Sequence, residues 1–344
     1  MILRDEVVNV GIIGCGRIVQ TVHVAALSGL DRVRVVAVCD LDAAARDAVG
    51  GRLGVDTRLA SWEELVALPE LDAVFVATND HVEPSLGALR AGKHLLVEKP
   101  LCFDRAAGAV LVEAARASSS VAMIAYMKRY DSCFEEACRL IEQLPEICFA
   151  RVHDFACRFD KSDDLFRVVP PRTEPASAGA YSPIEVLLMF ASHDFSIVRG
   201  AFGHPEEVLF VQAAGERTLA IGLTCARGVF CLLELSLDTR YEWFDETVTA
   251  FGAHTEVGVR FADPFVPYGR STLWVRRAEG GSPRRDVAEG RFEDGFRREW
   301  IHFAECVTRR ARPRTPLEDG LADIELAEEI AARWSGADPE DRAS

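Results

Sequence analysis

The sequence has no run of about 18 apolar residues free of charge, so it offers no candidate for a membrane-spanning helix. It also lacks a basic N-terminal region followed by an apolar signal core: it opens Met1-Ile2-Leu3-Arg4-Asp5-Glu6, and a cytoplasmic protein is expected. There is no excess of positive charge. Asp and Glu number 54 against 39 Lys and Arg, for a net charge of −15. Phosphate backbones are bound by clustered cations, so no nucleic-acid partner is expected. The one basic gathering, Arg309, Arg310, Arg312 and Arg314, reads as the solvated C-terminal end of a helix, where cations suit the dipole. Ten cysteines are present, but no CxxC pair and no Cys/His group at zinc spacing. That pattern argues for reduced, packed thiols and against a disulfide framework or a metal site. At 344 residues the chain is long for a single core, which favours two domains.

What is present is a series of short apolar runs. Val7–Ile13, Val33–Cys39, Ala73–Ala77, His94–Val97 and Val121–Tyr126 alternate with helical patterns at Val19–Leu30, Ala43–Gly51, Glu83–Ala91 and Arg105–Ala117. Unbroken Val, Ile, Leu and Ala runs indicate parallel strands covered on both faces, and the alternation predicts a doubly wound α/β domain over 1–125. After that the pattern changes. Candidate strands at Phe149–Arg158, Val208–Ala214, Leu219–Thr224, Val229–Leu237, Val248–Phe251, Glu256–Phe261 and Thr272–Arg276 follow one another, several alternating polar and apolar residues. This predicts an α+β domain over 126–335 with a mostly antiparallel open sheet. A helix is expected at about 183–200. Another is expected where Phe292, Phe296, Trp300, Phe303 and Val307 recur at helical steps. Lys161–Tyr181 reads as a long loop, either lid or contact arm, and 336–344 as a disordered tail.

The first run ends in Gly14-Cys15-Gly16-Arg17-Ile18, between a buried strand and a helix, with Asp40 closing the next strand. In that context the turn suits a dinucleotide: Gly14 permits the sharp bend, and Gly16 lets backbone N–H groups of the helix start approach a pyrophosphate. Val19 stands at the third glycine position of the fingerprint, which should loosen helix–strand packing there. Two readings of Asp40 stay open, a hydrogen-bond acceptor for the ribose 2′-OH or the cap of the following helix. The first favours NAD over NADP, because a carboxylate repels a 2′-phosphate.

The run Ala91-Gly92-Lys93-His94-Leu95-Leu96-Val97-Glu98-Lys99-Pro100-Leu101 resembles the signature of the Gfo/Idh/MocA oxidoreductases, named for glucose–fructose oxidoreductase and inositol dehydrogenase. The glycine turn and the stretch from Phe296 to Ser335, with its Arg-Pro-x-Thr-Pro-Leu-Glu-Asp-Gly, are similar to that family too. The resemblance implies a Rossmann domain joined to an antiparallel α/β domain, a bound nicotinamide cofactor, and sugar or cyclitol substrates. It implies that Glu98 and Lys99 lie at the cofactor and that Lys99 bonds the reacting oxygen. It also implies a proton-handling histidine in a pattern Asp-x-Gly-x-His-x-x-Asp, for which Met189-Phe190-Ala191-Ser192-His193-Asp194-Phe195-Ser196 is the best match. His193 fits, but its usual acids are replaced by Met189 and Ser196. Asp194, about 100° round the helix, is a poor substitute. Tyr126, Tyr130 and Tyr181 remain alternatives for proton handling. Thr78, Asn79 and His81 are candidates beside the cofactor, in a loop shorter than the family's, although His81 reads more readily as helix-start packing than as a catalytic group. Arg129 is a candidate for binding an anionic substrate, or for an ion pair within the fold. The expected activity is hydride transfer between NAD (NADP second) and a secondary alcohol or ketone of a sugar, cyclitol or nucleotide-linked sugar. Reduction of another C=O or C=N substrate, or a non-enzymatic dinucleotide-binding regulator, are the alternatives. A homodimer or homotetramer is expected, because one face of the open sheet takes the 183–200 and 291–310 helices and leaves a second apolar face to cover. Phe210, Leu219, Ile221, Leu223, Phe230, Leu232 and Val248 are its candidate residues.

Overall fold

The computed structural model describes residues 7–155, 168–169, 181–214, 218–236, 243–266, 269–278 and 282–335. Most of the expected 161–181 loop and the whole expected tail lie outside these residues. The described residues pack as two units. One is drawn from Met1–Tyr126 and Phe296–Ile324, together with Val168, Val169 and Tyr181; the other comes from Met127–Asp160, Ser182–Gly295 and Glu325–Ser344.

In the first unit six parallel strands, β1 (Val8–Ile13), β2 (Val33–Cys39), β3 (Thr57–Leu59), β4 (Ala73–Val76), β5 (His94–Val97) and β6 (Ala122–Ile124), lie in the order β3-β2-β1-β4-β5-β6. This is the doubly wound dinucleotide-binding order. All residues of β4 and most of β1 and β5 are buried, which is why these strands read as unbroken apolar runs. A wide turn of helix at Val19–His23 runs into α1 (Val24–Leu27). Val24 N–H bonds back to Val19 O, one residue further than in an α-helix, and Val19 is wholly buried. The wider turn makes room for a side chain where the fingerprint has glycine. Further helices are α2 (Ala43–Leu53), α3 (Trp62–Val66), α4 (Val82–Arg90) and α5 (Arg105–Ala117), with Asp42, Ser61 and Asp104 capping α2, α3 and α5. The pair β3 and α3 was not foreseen: Thr57-Arg58-Leu59 is a three-residue edge strand with no apolar run to betray it.

The second unit holds an eight-stranded sheet: β7 (Phe149–Phe155), β8 (Pro205–Ala214), β9 (Thr218–Cys225), β10 (Val229–Ser236), β11 (Asp245–Phe251), β12 (Thr255–Arg260), β13 (Thr272–Arg277) and β14 (Arg284–Glu289). Their order is β14-β13-β12-β11-β7-β10-β9-β8, antiparallel except for the central pair β7–β10. The edge strand β14 was missed because every residue in it is exposed and most are polar. Helices α6 (Ser132–Glu142) and α7 (Pro183–Phe202) cover one face, α6 over β12 and β13, α7 over β7 and β10. Ser182 and Glu185 close a reciprocal cap at the start of α7, with Pro183 in its first turn.

Helix α8 (Gly295–Arg309) departs from expectation in two ways. Phe292 lies before it and is largely exposed, beside the Arg270 guanidinium, so it belongs to no helical apolar face. The apolar face that does form, Phe296, Trp300 and Phe303, is buried with the first unit rather than against the antiparallel sheet. Trp300 stacks edge-on to Phe75 at 5.1 Å. Arg297 donates to the carbonyls of Ala26, Ser28 and Gly29, satisfying the end of α1. The basic residues that follow are exposed, and Arg310, at φ 50°, takes the left-handed conformation just past the helix end. A last helix, α9 (Leu317–Ser335), completes the described chain. Among the described residues, no helix is long and apolar enough to cross a membrane.

Candidate active site

The strand ends of the first unit gather the expected cofactor residues. Gly14 adopts φ 98°, and a Cβ there would lie 2.6 Å from the Ala77 carbonyl carbon, so only glycine fits between β1 and β4. Gly16 is the opposite case: no atom lies within 4 Å of where its Cβ would be. That side of the turn is open, the close approach a pyrophosphate needs, and Arg17 and Ile18 are half-buried beside it. Asp40 stands at the end of β2. Its Oδ2 accepts the Cys15 N–H at 2.7 Å and its Oδ1 the Asp42 N–H at 2.8 Å. The cap of α2 is Asp42, which accepts from Ala44 N at 2.8 Å, so the capping alternative for Asp40 falls away. Asp40 instead ties the glycine turn to the next strand, with lone pairs left for a further donor. Arg46, from α2, donates to the Asp40 carbonyl at 2.6 Å.

Past β4, Thr78 is half-buried and bonds the Asp80 carbonyl at 2.5 Å, while Asn79 is exposed. His81 is buried, with Nδ1 2.7 Å from the Pro100 carbonyl oxygen. Burial pushes its imidazole below the ordinary range, so it is neutral and donates that bond. Its ring is thus committed to holding the Glu98-Lys99-Pro100 turn, the packing role rather than the ligand role. Lys99 projects half-buried from this turn at the end of β5. The Glu98 carboxylate beneath it is buried. Its Oε2 accepts the Lys99 backbone N–H at 2.9 Å, and its Oε1 lies 2.8 Å from His23 Nε2. Burial works against that charge, but the His23 hydrogen bond and the neighbouring Lys99 outweigh it and hold Glu98 below the usual carboxylate range.

Three participants were missed from sequence. His23 and Trp300 sit in stretches legible only as helices. Gln20 bonds the Cys15 carbonyl through Nε2 at 2.8 Å and takes the Val169 N–H through Oε1 at 2.8 Å, holding Val169 beside the glycine turn. No motif marks a polar side chain turned inward from an apolar helix. Tyr126 is also placed differently from the expectation of a ligand contact: it is buried, and its hydroxyl is bonded to Asp323.

The second unit carries His193, half-buried on α7, and Arg129, which donates to the Ser196 carbonyl at 3.2 Å. Arg129 therefore has a partner within the fold. Tyr181 is half-buried just before α7. Asp194 turns away into a buried cluster with Asp154 and Glu246, whose carboxylate oxygens lie within 4.8 Å of one another. Three acids at that spacing form a ligand set in outline, but Lys128 is bonded to Glu246 and already supplies the positive charge. Burial opposes the ammonium, yet Glu246, Asp154 and Asp194 together push Lys128 up to about 12. Burial, which outweighs the pull of Lys128, pushes Glu246 up to about 8 and Asp194 well above the usual carboxylate range.

A parallel sheet ending in an open glycine turn, with an acid on the second strand and a lysine on the fifth, is the framework of a nicotinamide-dependent oxidoreductase. Residues 8–126 match the model of the oxidoreductase family with an NAD-binding Rossmann fold, Gfo/Idh/MocA. The myo-inositol 2-dehydrogenase of Thermotoga maritima is 24% identical over 325 residues, covering 91% of this chain and 92% of that protein. Among solved structures, the 3-ketoreductase KijD10 of Actinomadura kijaniata, in complex with TDP-benzene and NADP, superposes with a TM-score of 0.74. It is 20% identical, covering 95% of this chain and 98% of that one. The apo scyllo-inositol dehydrogenase of Lactobacillus casei gives 0.75 at 18% identity, covering 98% of both chains. Residues 8–126 thus carry the NAD-binding Rossmann domain of the Gfo/Idh/MocA oxidoreductases, and the chain is an NAD(P)-dependent oxidoreductase, similar over nearly its whole length to an inositol 2-dehydrogenase.

Proposed function

We propose that the protein transfers hydride between NAD(H) and a secondary alcohol or ketone of a sugar, cyclitol or nucleotide-linked sugar. The observation that carries this reading is Lys99, set at the end of β5 in the same layer of strand ends as the Gly14-Cys15-Gly16 cradle. The nicotinamide, when bound, supplies or accepts the hydride. Lys99 Nζ donates a hydrogen bond to the reacting oxygen, where negative charge develops as the proton and hydride part company. His193, on α7, takes or returns the hydroxyl proton. Relatives and structural neighbours acting on inositols and on a keto group support the substrate class. The test is nicotinamide absorbance change across a panel of polyols, inositols and nucleotide-linked sugars. Dinucleotide binding with no turnover on any of them would point to a regulator, and turnover only on imines or simple ketones to a reductase of another kind.

NAD(H) is expected to bind more tightly than NADP(H), because the Asp40 carboxylate at the ribose end of the cradle repels a 2′-phosphate. Calorimetric titration of both cofactors into wild type and Asp40→Ala decides this. Tighter NADP(H) binding by wild type overturns it, and Arg46 would then be the cation responsible.

Assembly is expected through the open face of the eight-stranded sheet. The register corrects the residues expected there: Leu219, Ile221, Leu223 and Val248 are buried on the helix-covered side. The open face instead carries Phe210, Phe230 and Leu232 with Phe149 and Phe251, the Phe149 ring 5.6 Å from Phe230 and 5.8 Å from Phe251. The cover is supplied by α6 and α7, while the apolar face of α8 belongs to the first unit. Beside the aromatics, Glu234 pairs with Arg151 at 2.6 Å and with His153 at 3.0 Å. An aromatic patch flanked by paired charges is the composition of a dimer or tetramer interface. Sedimentation equilibrium at micromolar concentration is expected to give a multiple of 37.8 kDa. A monomer would refute it.

A further inference from the structure

The carboxylate under Lys99 is held by a chain of groups that no motif announced. His23 is wholly buried, on the helix that starts at the glycine turn. Its Nδ1 lies 3.1 Å from Trp300 Nε1 and its Nε2 lies 2.8 Å from Glu98 Oε1. An indole N–H only donates, so Nδ1 must accept and carry no proton. The single ring proton is then on Nε2, donated to Glu98. A second proton on Nδ1 would set N–H against N–H, in a site with no water-facing side. The ring is enclosed by Phe75 at 4.6 Å, Phe296 at 5.4 Å and Trp300 at 6.0 Å. The indole therefore locks the imidazole neutral, and the neutral imidazole leaves Glu98 its full negative charge. The other Glu98 oxygen takes the Lys99 backbone N–H. Nothing in cofactor binding calls for such an arrangement, since the Glu98 carboxylate is spent inside the protein.

We propose that Trp300 and His23 are positioning residues for Lys99, acting as a proton-locked relay that keeps Glu98 a carboxylate and so fixes both the backbone and the charge state of Lys99. The inference rests on the reading of Lys99 as the group that serves the reacting oxygen. Among the described residues the ionisable groups at the turn include His23 from the first helix, Glu98 itself, His81 from the start of α4, which is tied to the Pro100 carbonyl, and the exposed Asp80 beside it. The buried charge that bonds Lys99 is that of Glu98. A negative charge at that place keeps the ammonium protonated to higher pH. Without the indole donor nothing fixes the imidazole tautomer, and the Nε2 proton that steadies Glu98 against the Lys99 turn is no longer assured.

The test reads Lys99 directly. Full-length protein is labelled competitively with acetic anhydride across a range of pH, and Lys99 acetylation is followed by peptide mass spectrometry. Glu98→Gln is expected to move the Lys99 labelling midpoint down by about one pH unit, the scale of losing an adjacent opposite charge, and Trp300→Phe to move it in the same direction by less, because it loosens the carboxylate without removing it. His23→Leu is expected to do the same. His23→Gln keeps a donor for Glu98 and an acceptor for Trp300 but cannot take a proton, and is expected to retain the wild-type midpoint. Wild-type midpoints in both Glu98→Gln and Trp300→Phe would overturn the proposal, as would His23→Gln behaving like His23→Leu, which is what a purely packing role predicts. Glu98→Gln preserves shape, so it decides the matter even if Trp300→Phe does not fold. Labelling requires no hydride transfer. A wild-type protein that labels as described but turns over no substrate would sink the role of Lys99 in the reaction and leave the relay standing.

Discussion

Lys99→Ala is expected to bind NAD(H) as wild type does and to lose at least about 100-fold in turnover, the scale of one transition-state donor removed from a preorganised site. The two effects separate because the cradle is built from other parts. The turn at Gly14 and Gly16 and the Asp40 carboxylate are positioned by backbone bonds to Cys39, Cys15 and Asp42, none of which involves Lys99. The Lys99 side chain can be removed without touching its own N–H, which is what Glu98 holds. Steady-state rates on a substrate found in the panel, with calorimetry for NAD(H), measure both quantities. A variant that keeps more than half of wild-type turnover would remove Lys99 from the chemistry. The same assay on His193→Ala is expected to show a smaller loss. Met189 and Ser196 bring no carboxylate to it, and Asp194 is turned into the buried cluster.

Lys128→Met is expected to destabilise the second unit by about 3–5 kcal/mol near pH 9, where Glu246 is ionised, the cost of breaking a buried ion pair by removing one partner. Lys128, Glu246 and Asp194 are all buried, and Asp154 is nearly so. Without the ammonium, Glu246, Asp194 and Asp154 have only one another, and they must carry protons or be hydrated. The sign with pH follows from the raised Glu246. A carboxyl raised in the folded state to about 8, from an ordinary 4.5, binds a proton that the unfolded chain has released between those values. Its stabilising contribution is therefore complete below about pH 4.5 and is lost as pH rises through 8. Asp194 acts in the same direction. Wild-type unfolding temperature, followed by calorimetry, is expected to fall between pH 6 and pH 9, and more steeply in Lys128→Met. Glu246→Gln, which removes one acid and leaves Lys128 with Asp154, should flatten the profile. A Lys128→Met protein as stable at pH 9 as wild type would show that these carboxylates do not carry the charge assigned to them.

These two sites were unequally legible beforehand. Lys99 stood out because the residues around it, from Ala91 to Leu101, form a motif within one strand and turn, where spacing in sequence is spacing in space. The buried quartet drew no attention. Lys128 follows β6, Asp154 is the last but one residue of β7, Asp194 lies midway along α7 and Glu246 is the second residue of β11. Charged residues in such positions read as solvated unless the register of four separate elements is known. The same reason hides His23, whose partners Glu98 and Trp300 stand 75 and 277 residues away along the chain.

The sequence by itself determined the two kinds of sheet, the glycine turn with its acid on the second strand, and the lysine on the fifth. Each is a local pattern: apolar runs for doubly covered strands, alternation for a half-covered sheet, and short motifs at strand ends. The tertiary structure alone decided which face of the antiparallel sheet is open, because a shift of one residue in register exchanges Leu219 and Ile221 for Ala220 and Gly222. It alone decided that α8 packs with the first unit, since an apolar helix face records what it needs to cover but not where the cover lies. It also decided that Glu98 is a carboxylate locked by a neutral imidazole. Protonation states of buried groups follow from the partners that distant parts of the chain bring to them, and no local pattern carries that information.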